Sequence, residues 1–251
     1  MSTPVIVFLD SDTIPAHIQL TSPSFEHHWQ AYPSTQPEQT VERLRNADIA
    51  ITNKVVLSAD VLAQLPNLKL VAVAATGFNN VDIDYCREHN IAVCNVPGYS
   101  NRSVPEHVLA MMFALRRNLL GYHTDIMKGE WQRKNLFCFF THPIGDIAGS
   151  TMGIIGGGTL GQAVASLAKA VGMQVLFAER KGAAHCRPGY QPFEDVLSQA
   201  DVVSLHCLLT EETRNLIDEA EFELMKPNAL LINTGRGLSL IHISESTRPH
   251  D

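Results

Sequence analysis

The stretch TMGIIGGGTLGQAVASLAKAVG, residues 151–172, decides the fold of this chain. It starts as an apolar run, Thr151-Met152-Gly153-Ile154-Ile155, and passes through Gly156-Gly157-Gly158-Thr159-Leu160-Gly161. It then continues with Ala163, Val164, Leu167, Ala168 and Val171 at helical spacing as far as Gly172. That order predicts a strand, a tight turn and a small-residue helix, the unit in which a GxGxxG turn holds a dinucleotide. Gly156 permits the turn, Gly158 removes a Cβ from the path of a pyrophosphate, and Gly161 lets the helix lie against the strand. Thr159 and Leu160 stand at the helix start, where unpaired N–H groups and the positive dipole end face the phosphates. A second apolar run, Val175 to Ala178, ends at Glu179. Lying about twenty residues past the turn, this carboxylate is placed to accept hydrogen bonds from a ribose diol. It also repels the 2′-phosphate of NADP, whereas Arg180 and Lys181 beside it would accommodate one. The expected cofactor is NAD, with NADP the alternative.

Working outward, Asp201 to Cys207 and Ala229 to Thr234 read as further strands, with a helix from about Asp218 to Met225 between them. The last strand ends in Thr234-Gly235-Arg236-Gly237. Ligands of open α/β sheets bind outside the carboxyl ends of strands, so Arg236 is delivered to the ligand crevice, where a guanidinium holds a carboxylate with two parallel N–H bonds. Upstream, the runs Val5 to Leu9, Asp48 to Thr52, Leu70 to Ala74 and Ile91 to Cys94 are apolar on both faces, as covered parallel strands are. Val41, Leu44 and Arg45 keep a helical period, and Ser58 is the expected cap of a helix carrying Val61, Leu62 and Leu65. Ser103-Val104-Pro105-Glu106 reads as a capping box opening a helix with Val108, Met111, Met112 and Leu115 on one stripe. Residues 129–143 read as a loop whose Trp131, Phe137, Phe139 and Phe140 either cover a core or pack on another subunit. The fold class is therefore α/β, with two parallel-sheet domains.

Composition narrows the function. The 251 residues carry a formal charge of −7 with 19 Lys+Arg and no basic run, which leaves no footprint for nucleic acid or an anionic membrane. The longest apolar run, Val108 to Leu115, is too short to span a bilayer, and no secretory leader is read in the first residues. Five cysteines, odd in number and without a CxxC pair, argue against a disulfide framework and a zinc site. The expectation is a cytoplasmic chain without a metal.

Four motifs, the last in two parts, together resemble the D-isomer-specific 2-hydroxyacid dehydrogenases. AATGFNNVD (74–82) is similar to the family's substrate loop, VPGYSNRSVPEHVLAMMFALRRN (96–118) to its interdomain hinge and first cofactor-domain helix, and MGIIGGGTLGQAVA (152–165) to its fingerprint. The pair ADVVSLHCLLTEETRNLID (200–218) and LMKPNALLINTGRG (224–237) resembles its second signature. The wording, FAERKG (177–182) included, is nearest the glycerate dehydrogenase or hydroxypyruvate reductase branch. The resemblance implies a flavodoxin-like substrate domain over residues 1–98, without its C-terminal return helix, and a Rossmann domain over 99–237, short of its last strands. It implies hydride transfer between nicotinamide C4 and a small 2-oxo acid such as hydroxypyruvate or glyoxylate, in a homodimer. Arg236 matches the arginine that binds the substrate carboxylate and polarises the ketone, and Thr76 and Gly77 match backbone donors to that carboxylate. Gly156, Gly158, Thr159, Leu160 and Gly161 match the pyrophosphate turn, Glu179 the ribose acid, and Cys207, Thr234 and Gly235 contacts to the nicotinamide half. Leu208 departs from the family's proline and is expected to loosen its loop without abolishing binding. A dinucleotide-binding regulator on the same scaffold is the rival reading; the absence of an evident peptide-docking insertion favours the enzyme.

The family's proton donor, a histidine paired with a glutamate, lies downstream of the arginine. Here residues 238–251, LSLIHISESTRPHD, show no periodic continuation and resemble translated adapter sequence, so a non-native tail is expected from residue 238. His242 and His250 stand at the wrong distance from Arg236 to replace the donor. Of the others, His107 is expected to pack, His206 to hydrogen-bond locally, and His27, His28, His89, His123, His142 and His185 to be solvated. Lys54 is either a pocket residue or a solvated loop lysine.

Overall fold

Alternation of short β-branched runs with amphipathic segments folds here into two parallel sheets, each within its own unit, Met1–Tyr99 and Ser100–Asp251. The computed structural model describes residues 3–240; His242, His250 and most of the expected tail lie outside the described residues.

The first unit runs β1 (Val5–Phe8), β2 (His28–Ala31), α1 (Pro37–Leu44), β3 (Ile49–Thr52), α2 (Ala59–Leu62), β4 (Leu70–Val73), α3 (Ile83–Glu88) and β5 (Ala92–Cys94). Its sheet order is β2-β1-β3-β4-β5, all parallel. Val7, Leu9, Leu44, Leu57, Leu62, Val71 and Val73 form its core. Strand β2, His-Trp-Gln-Ala, is exposed along its whole length, so no apolar pattern announced it. It exists because β1 offers a free edge and backbone pairing there needs no buried side chain. Strand β5 forms the other edge and leaves Ala92 and Cys94 exposed rather than covered on both faces. Ser58 does occupy the N-cap position of α2, but its side chain makes no capping bond, contrary to expectation.

The second unit begins with α4 (Ser103–Arg116), α5 (Leu119–Met127) and α6 (Glu130–Lys134). There follow β6 (Thr151–Ile155), α7 (Thr159–Ala170), β7 (Gln174–Ala178), β8 (Tyr190–Gln191), α8 (Phe193–Gln199), β9 (Val202–Leu205), α9 (Glu219–Leu224) and β10 (Leu230–Asn233). All five strands are parallel in the order β10-β9-β6-β7-β8. One face is packed by α4 and α7 through Val108, Met112, Val164 and Ala168 against Met152, Ile154 and Val202. The other is covered by Phe193, Val196 and Leu197 of α8 and Met225 after α9, against Ile155, Val203 and Leu205.

Three local expectations need correction. No capping box opens α4: its N-cap is Arg102, without a side-chain bond, and Pro105 sits one turn in. Asn118, at φ 48°, breaks the helical run and starts α5, which apolar spacing alone did not separate. Within 129–143 the first residues are helical, because Gly129 at φ 75° starts α6 and Asn135 at φ 47° ends it. After β10, residues 238–240 lie along the unit, where Leu240 bridges Ile217 and Ser239 is buried.

Candidate functional site at the carboxyl edge of the second sheet

Register aligns the ends of three strands. Ile155 pairs with Leu205 and Leu205 with Asn233, so Gly156, His206 and Thr234 follow in one row at the carboxyl edge. The amide of His206 donates to the Ile155 carbonyl at 2.7 Å, which extends the ladder one residue into the turn. On the other side Ile155 pairs with Ala178, which sets Glu179 beside Gly156.

The glycine turn is shaped by contact. Gly156 has φ +100°, and a Cβ there would lie 2.5 Å from the His206 carbonyl carbon, so both conformation and space require glycine. A Cβ on Gly161 would strike the Gly156 carbonyl oxygen and approach Ile154 Cγ2 to 3.2 Å, so this glycine is what brings α7 down onto β6. Gly158 is the opposite case: it is exposed, and a Cβ there would meet nothing within 4 Å. The protein leaves open space over Gly158 at the start of a twelve-residue helix whose first amides, Thr159 and Leu160 among them, have no intrahelical acceptor. That combination fits a diphosphate.

Glu179 is 5% exposed and fully engaged. Oε1 accepts from the Arg180 amide at 2.9 Å and Arg187 Nη2 at 2.8 Å, and Oε2 from the Arg187 amide at 3.0 Å and Arg187 Nε at 2.7 Å. The guanidinium bonds and the two amides hold its carboxyl well below the usual range, at about 2. Arg187 lies over the Tyr190 ring, 4.0 Å from its centroid. Lys181 is drawn to Glu221, 2.7 Å away, while Arg180 is exposed. Nothing in the sequence singled out Arg187, because it sits in an aperiodic loop.

His206 Nε2 is 2.9 Å from Ser204 Oγ, and burial pushes the imidazole down to about 4. Burial also raises the thiol of Cys207. Leu208 is exposed, and its carbonyl accepts from Thr213 Oγ1 at 2.5 Å, which ties down the loop where proline is absent. At the end of β10, Asn233 works in both directions: Oδ1 accepts from the Gly235 amide at 2.9 Å and Nδ2 donates to the Arg236 carbonyl at 3.0 Å. This Asx turn fixes Thr234, Gly235 and Arg236, and an asparagine before Thr-Gly was its legible signal. Arg236 is half-buried as a residue, and its guanidinium's one hydrogen bond among the described residues is a 3.5 Å contact to the Gly235 carbonyl.

In the first unit, Thr76 Oγ1 donates to the Val96 carbonyl at 2.9 Å and Asn95 Nδ2 to the Thr76 carbonyl at 2.7 Å, which pins the Thr76-Gly77 loop. Asp10, buried at the end of β1, accepts from the amides of Asn53 (2.9 Å), Lys54 (2.6 Å) and Val55 (3.3 Å). The Lys54 side chain is exposed. Two histidines depart from expectation. His107 is exposed on α4 rather than packed, and His142 is not simply solvated: its Nε2 is 3.1 Å from Asp125 Oδ2. That is the one close His–carboxylate contact of this kind among the described residues. Also among the described residues, no three His, Cys, Asp or Glu side chains gather as metal ligands, and no helix is long and apolar enough to cross a membrane.

Comparison with known proteins follows the same lines. Residues 109–241 match the family model described as D-isomer specific 2-hydroxyacid dehydrogenase, NAD binding domain. The chain is 53% identical over 232 residues to a putative 2-hydroxyacid dehydrogenase of Haemophilus influenzae, covering 92% of this chain and 74% of that one. It is 44% identical over 236 residues to a glycerate dehydrogenase of Methylorubrum extorquens, covering 94% and 73%. Among solved structures, D-lactate dehydrogenase from Aquifex aeolicus, complexed with NAD and lactic acid, superposes with a TM-score of 0.76 at 26% identity, covering 94% of this chain and 70% of that one.

Proposed function

Because the chain belongs to the D-isomer-specific 2-hydroxyacid dehydrogenases, a family of NAD-dependent oxidoreductases, we propose that it interconverts a small 2-oxo acid and its D-2-hydroxy acid, of the hydroxypyruvate/glycerate or glyoxylate/glycolate type. The observation that carries this reading is Arg236, whose backbone Asn233 holds two residues beyond the row that includes Gly156, with its guanidinium left to take a ligand. A planar fork there binds a carboxylate through two bonds and, by its charge, polarises an adjacent ketone. In the first unit the amides of Thr76 and Gly77 are assigned to a substrate carboxylate as well.

Bound NADH would supply the hydride. The chain's own residues would hold it: Gly156, Gly158 and Gly161 shape the turn, the Thr159 and Leu160 amides meet the diphosphate, and Glu179 accepts from the ribose. The backbone of Cys207, Thr234 and Gly235 faces the nicotinamide half. NAD is assigned over NADP because Glu179 is ionised at neutral pH, and the carboxylate repels a 2′-phosphate. His206 is not assigned as the proton donor of ketone reduction: burial pushes its imidazole down to about 4, so at neutral pH it lacks the acidic imidazolium proton that such a donor gives up.

No proton-donating histidine–glutamate pair is assigned up to Gly237, so the test is NADH oxidation, with hydroxypyruvate and with glyoxylate, by the product of the reading frame sequenced past codon 237, and chiral analysis of the glycerate formed. D-glycerate is the expected product. An L-product, or a folded chain that binds NADH and oxidises it with neither acid, overturns the reading. We also assign a homodimer and a cytoplasmic location. Phe137 is 95% exposed, and Leu120, Met127 and Phe140 are exposed near it in sequence, more apolar surface than a monomer's solvent face normally carries. The cysteines are all free thiols, as in a reducing compartment. Light scattering on the wild type and on Phe137→Asp decides the first point: a monomeric wild type refutes it.

A further inference from the structure

We infer that Arg187 is a cofactor-selectivity residue, which competes with the ribose diol of NADH for Glu179 and, once displaced, meets the 2′-phosphate of NADPH. This rests on the dinucleotide site proposed above and goes beyond it, because the assignment of Glu179 as ribose acceptor treats the carboxylate as available. The geometry says otherwise. An ionised carboxylate has about four lone-pair positions. Those of Glu179 receive four donors, two from the Arg187 guanidinium and one each from the amides of Arg180 and Arg187. A ribose hydroxyl can therefore donate to Glu179 only by evicting one of them. The amides belong to the turn after β7 and cannot leave without moving backbone. The guanidinium can: its side chain is 55% exposed, outside a carboxylate that is 5% exposed.

Its surroundings keep it close after it leaves. Arg187 is stacked on Tyr190, and the hydroxyl of Tyr190 packs against Gly157 in the glycine turn, where a Cβ would collide with it. Phe177 of β7 supports the same ring at 5.6 Å between centroids. The displaced cation is thus tethered beside the position where the 2′-oxygen of an adenosine ribose would sit. Lys181 does not compete for that role, being paired with Glu221. NADH must break the Arg187–Glu179 pair and leaves the guanidinium without an anion, whereas NADPH brings one with it. A phosphate–guanidinium contact is charge-assisted and can be bidentate, which favours arginine for this task. The pair thus narrows the discrimination against NADPH that a free carboxylate at Glu179 would impose.

The test is titration of the full chain with NADH and with NADPH, read by fluorescence, for wild type and Arg187→Gln, with folding checked by circular dichroism. Removal of the competitor is expected to tighten NADH binding about threefold, and removal of the cation to weaken NADPH binding about tenfold or more. The ratio of the two dissociation constants then shifts by more than tenfold toward NADH. A purely structural Arg187 would weaken both together and leave the ratio alone. A folded variant that binds both cofactors with a ratio within twofold of wild type overturns this inference and leaves the dinucleotide site standing. A folded wild type that binds neither overturns both. Should Arg187→Gln fail to fold, Arg187→Lys retains a cation without the two-oxygen grip, and the ratio must still move in the same direction.

Discussion

Substitution of Gly158 by alanine separates what the glycine turn does for the fold from what it does for the cofactor. The backbone there has φ −74° and ψ −167°, a conformation any residue adopts, and an added methyl meets nothing within 4 Å. Alanine gains about 0.4–1 kcal/mol by restricting the unfolded chain. Against this stands its poorer performance as an N-cap, a loss of similar size. The two nearly cancel, so the urea midpoint of Gly158→Ala should move little. Cofactor affinity should not be spared. If a diphosphate rests over Gly158, the methyl displaces it from the first amides of α7, and each charged hydrogen bond lost is about 1.5–3 kcal/mol. One such bond corresponds to a loss of roughly ten- to a hundredfold in NADH affinity.

Gly161→Ala supplies the contrast. Its Cβ would overlap the Gly156 carbonyl oxygen and stand 3.1 Å from the Gly156 carbonyl carbon, backbone atoms that cannot rotate away. Overpacking of this kind costs about 1–3 kcal/mol. With a urea dependence of about 1–3 kcal/mol per molar, the midpoint should fall by about 1 M. Urea titration with NADH titration on both variants reads the two effects independently. Gly158→Ala binding NADH within twofold of wild type would refute the placement of the diphosphate.

Three further outcomes follow from the same geometry. His206 is held near 4 against an ordinary value near 6.5, so below 6.5 the unfolded chain takes up a proton that the folded one refuses. Stability should fall as pH drops from 6.5 to 4, by on the order of 3 kcal/mol, and His206→Gln should flatten that slope in urea titrations. Glu179, lowered to about 2, adds a later loss between 4.5 and 2 that His206→Gln leaves in place. Arg236→Gln removes two charge-assisted bonds to a substrate carboxylate, about 3–6 kcal/mol together, or roughly 10²–10⁴ in kcat/KM, with NADH affinity unchanged; a coequal loss of NADH affinity would reassign the arginine to the cofactor. Asp10→Asn replaces one accepting oxygen by a donor facing the amides of Asn53, Lys54 and Val55, and should lower the urea stability of the first unit by about 1–3 kcal/mol.

What the sequence made legible and what it hid divide along physical lines. Strands such as β4 and β6, and the helix α7, were readable because burial imposes an apolar period on them. Strand β2 was not, since an edge strand held by backbone pairing needs no period. The break between α4 and α5 was hidden because a single left-handed Asn118 interrupts a run that stays apolar on both sides. In the candidate site, glycines, a strand-end acid and an arginine after Thr-Gly carry meaning by position. The supporting residues Arg187, Asn95 and Asp10 carry it only by partner, and partners come from chain segments whose approach no spacing encodes.

The row at the carboxyl edge also constrains the charge of what can bind there. His206 is neutral through burial, Cys207 keeps its proton, and Gly156, Thr234 and Gly235 are uncharged; Glu179 beside Gly156 is ionised but paired with Arg187, so among the described residues Arg236 is the ion near this row without an oppositely charged partner. A single cation is matched by one compensating anion and gains little from a second, whose own desolvation nothing nearby offsets. The row therefore selects a monocarboxylate over a dicarboxylate, a preference set by the depressed basicity of His206 as much as by Arg236. Were His206 protonated, the same edge would hold two positive charges and admit a second carboxylate. Substrate competition with oxaloacetate against hydroxypyruvate tests this, since the dicarboxylate should compete weakly at pH 7 and gain as pH falls toward 4. Equal competition at pH 7 would show that the charge balance lies elsewhere.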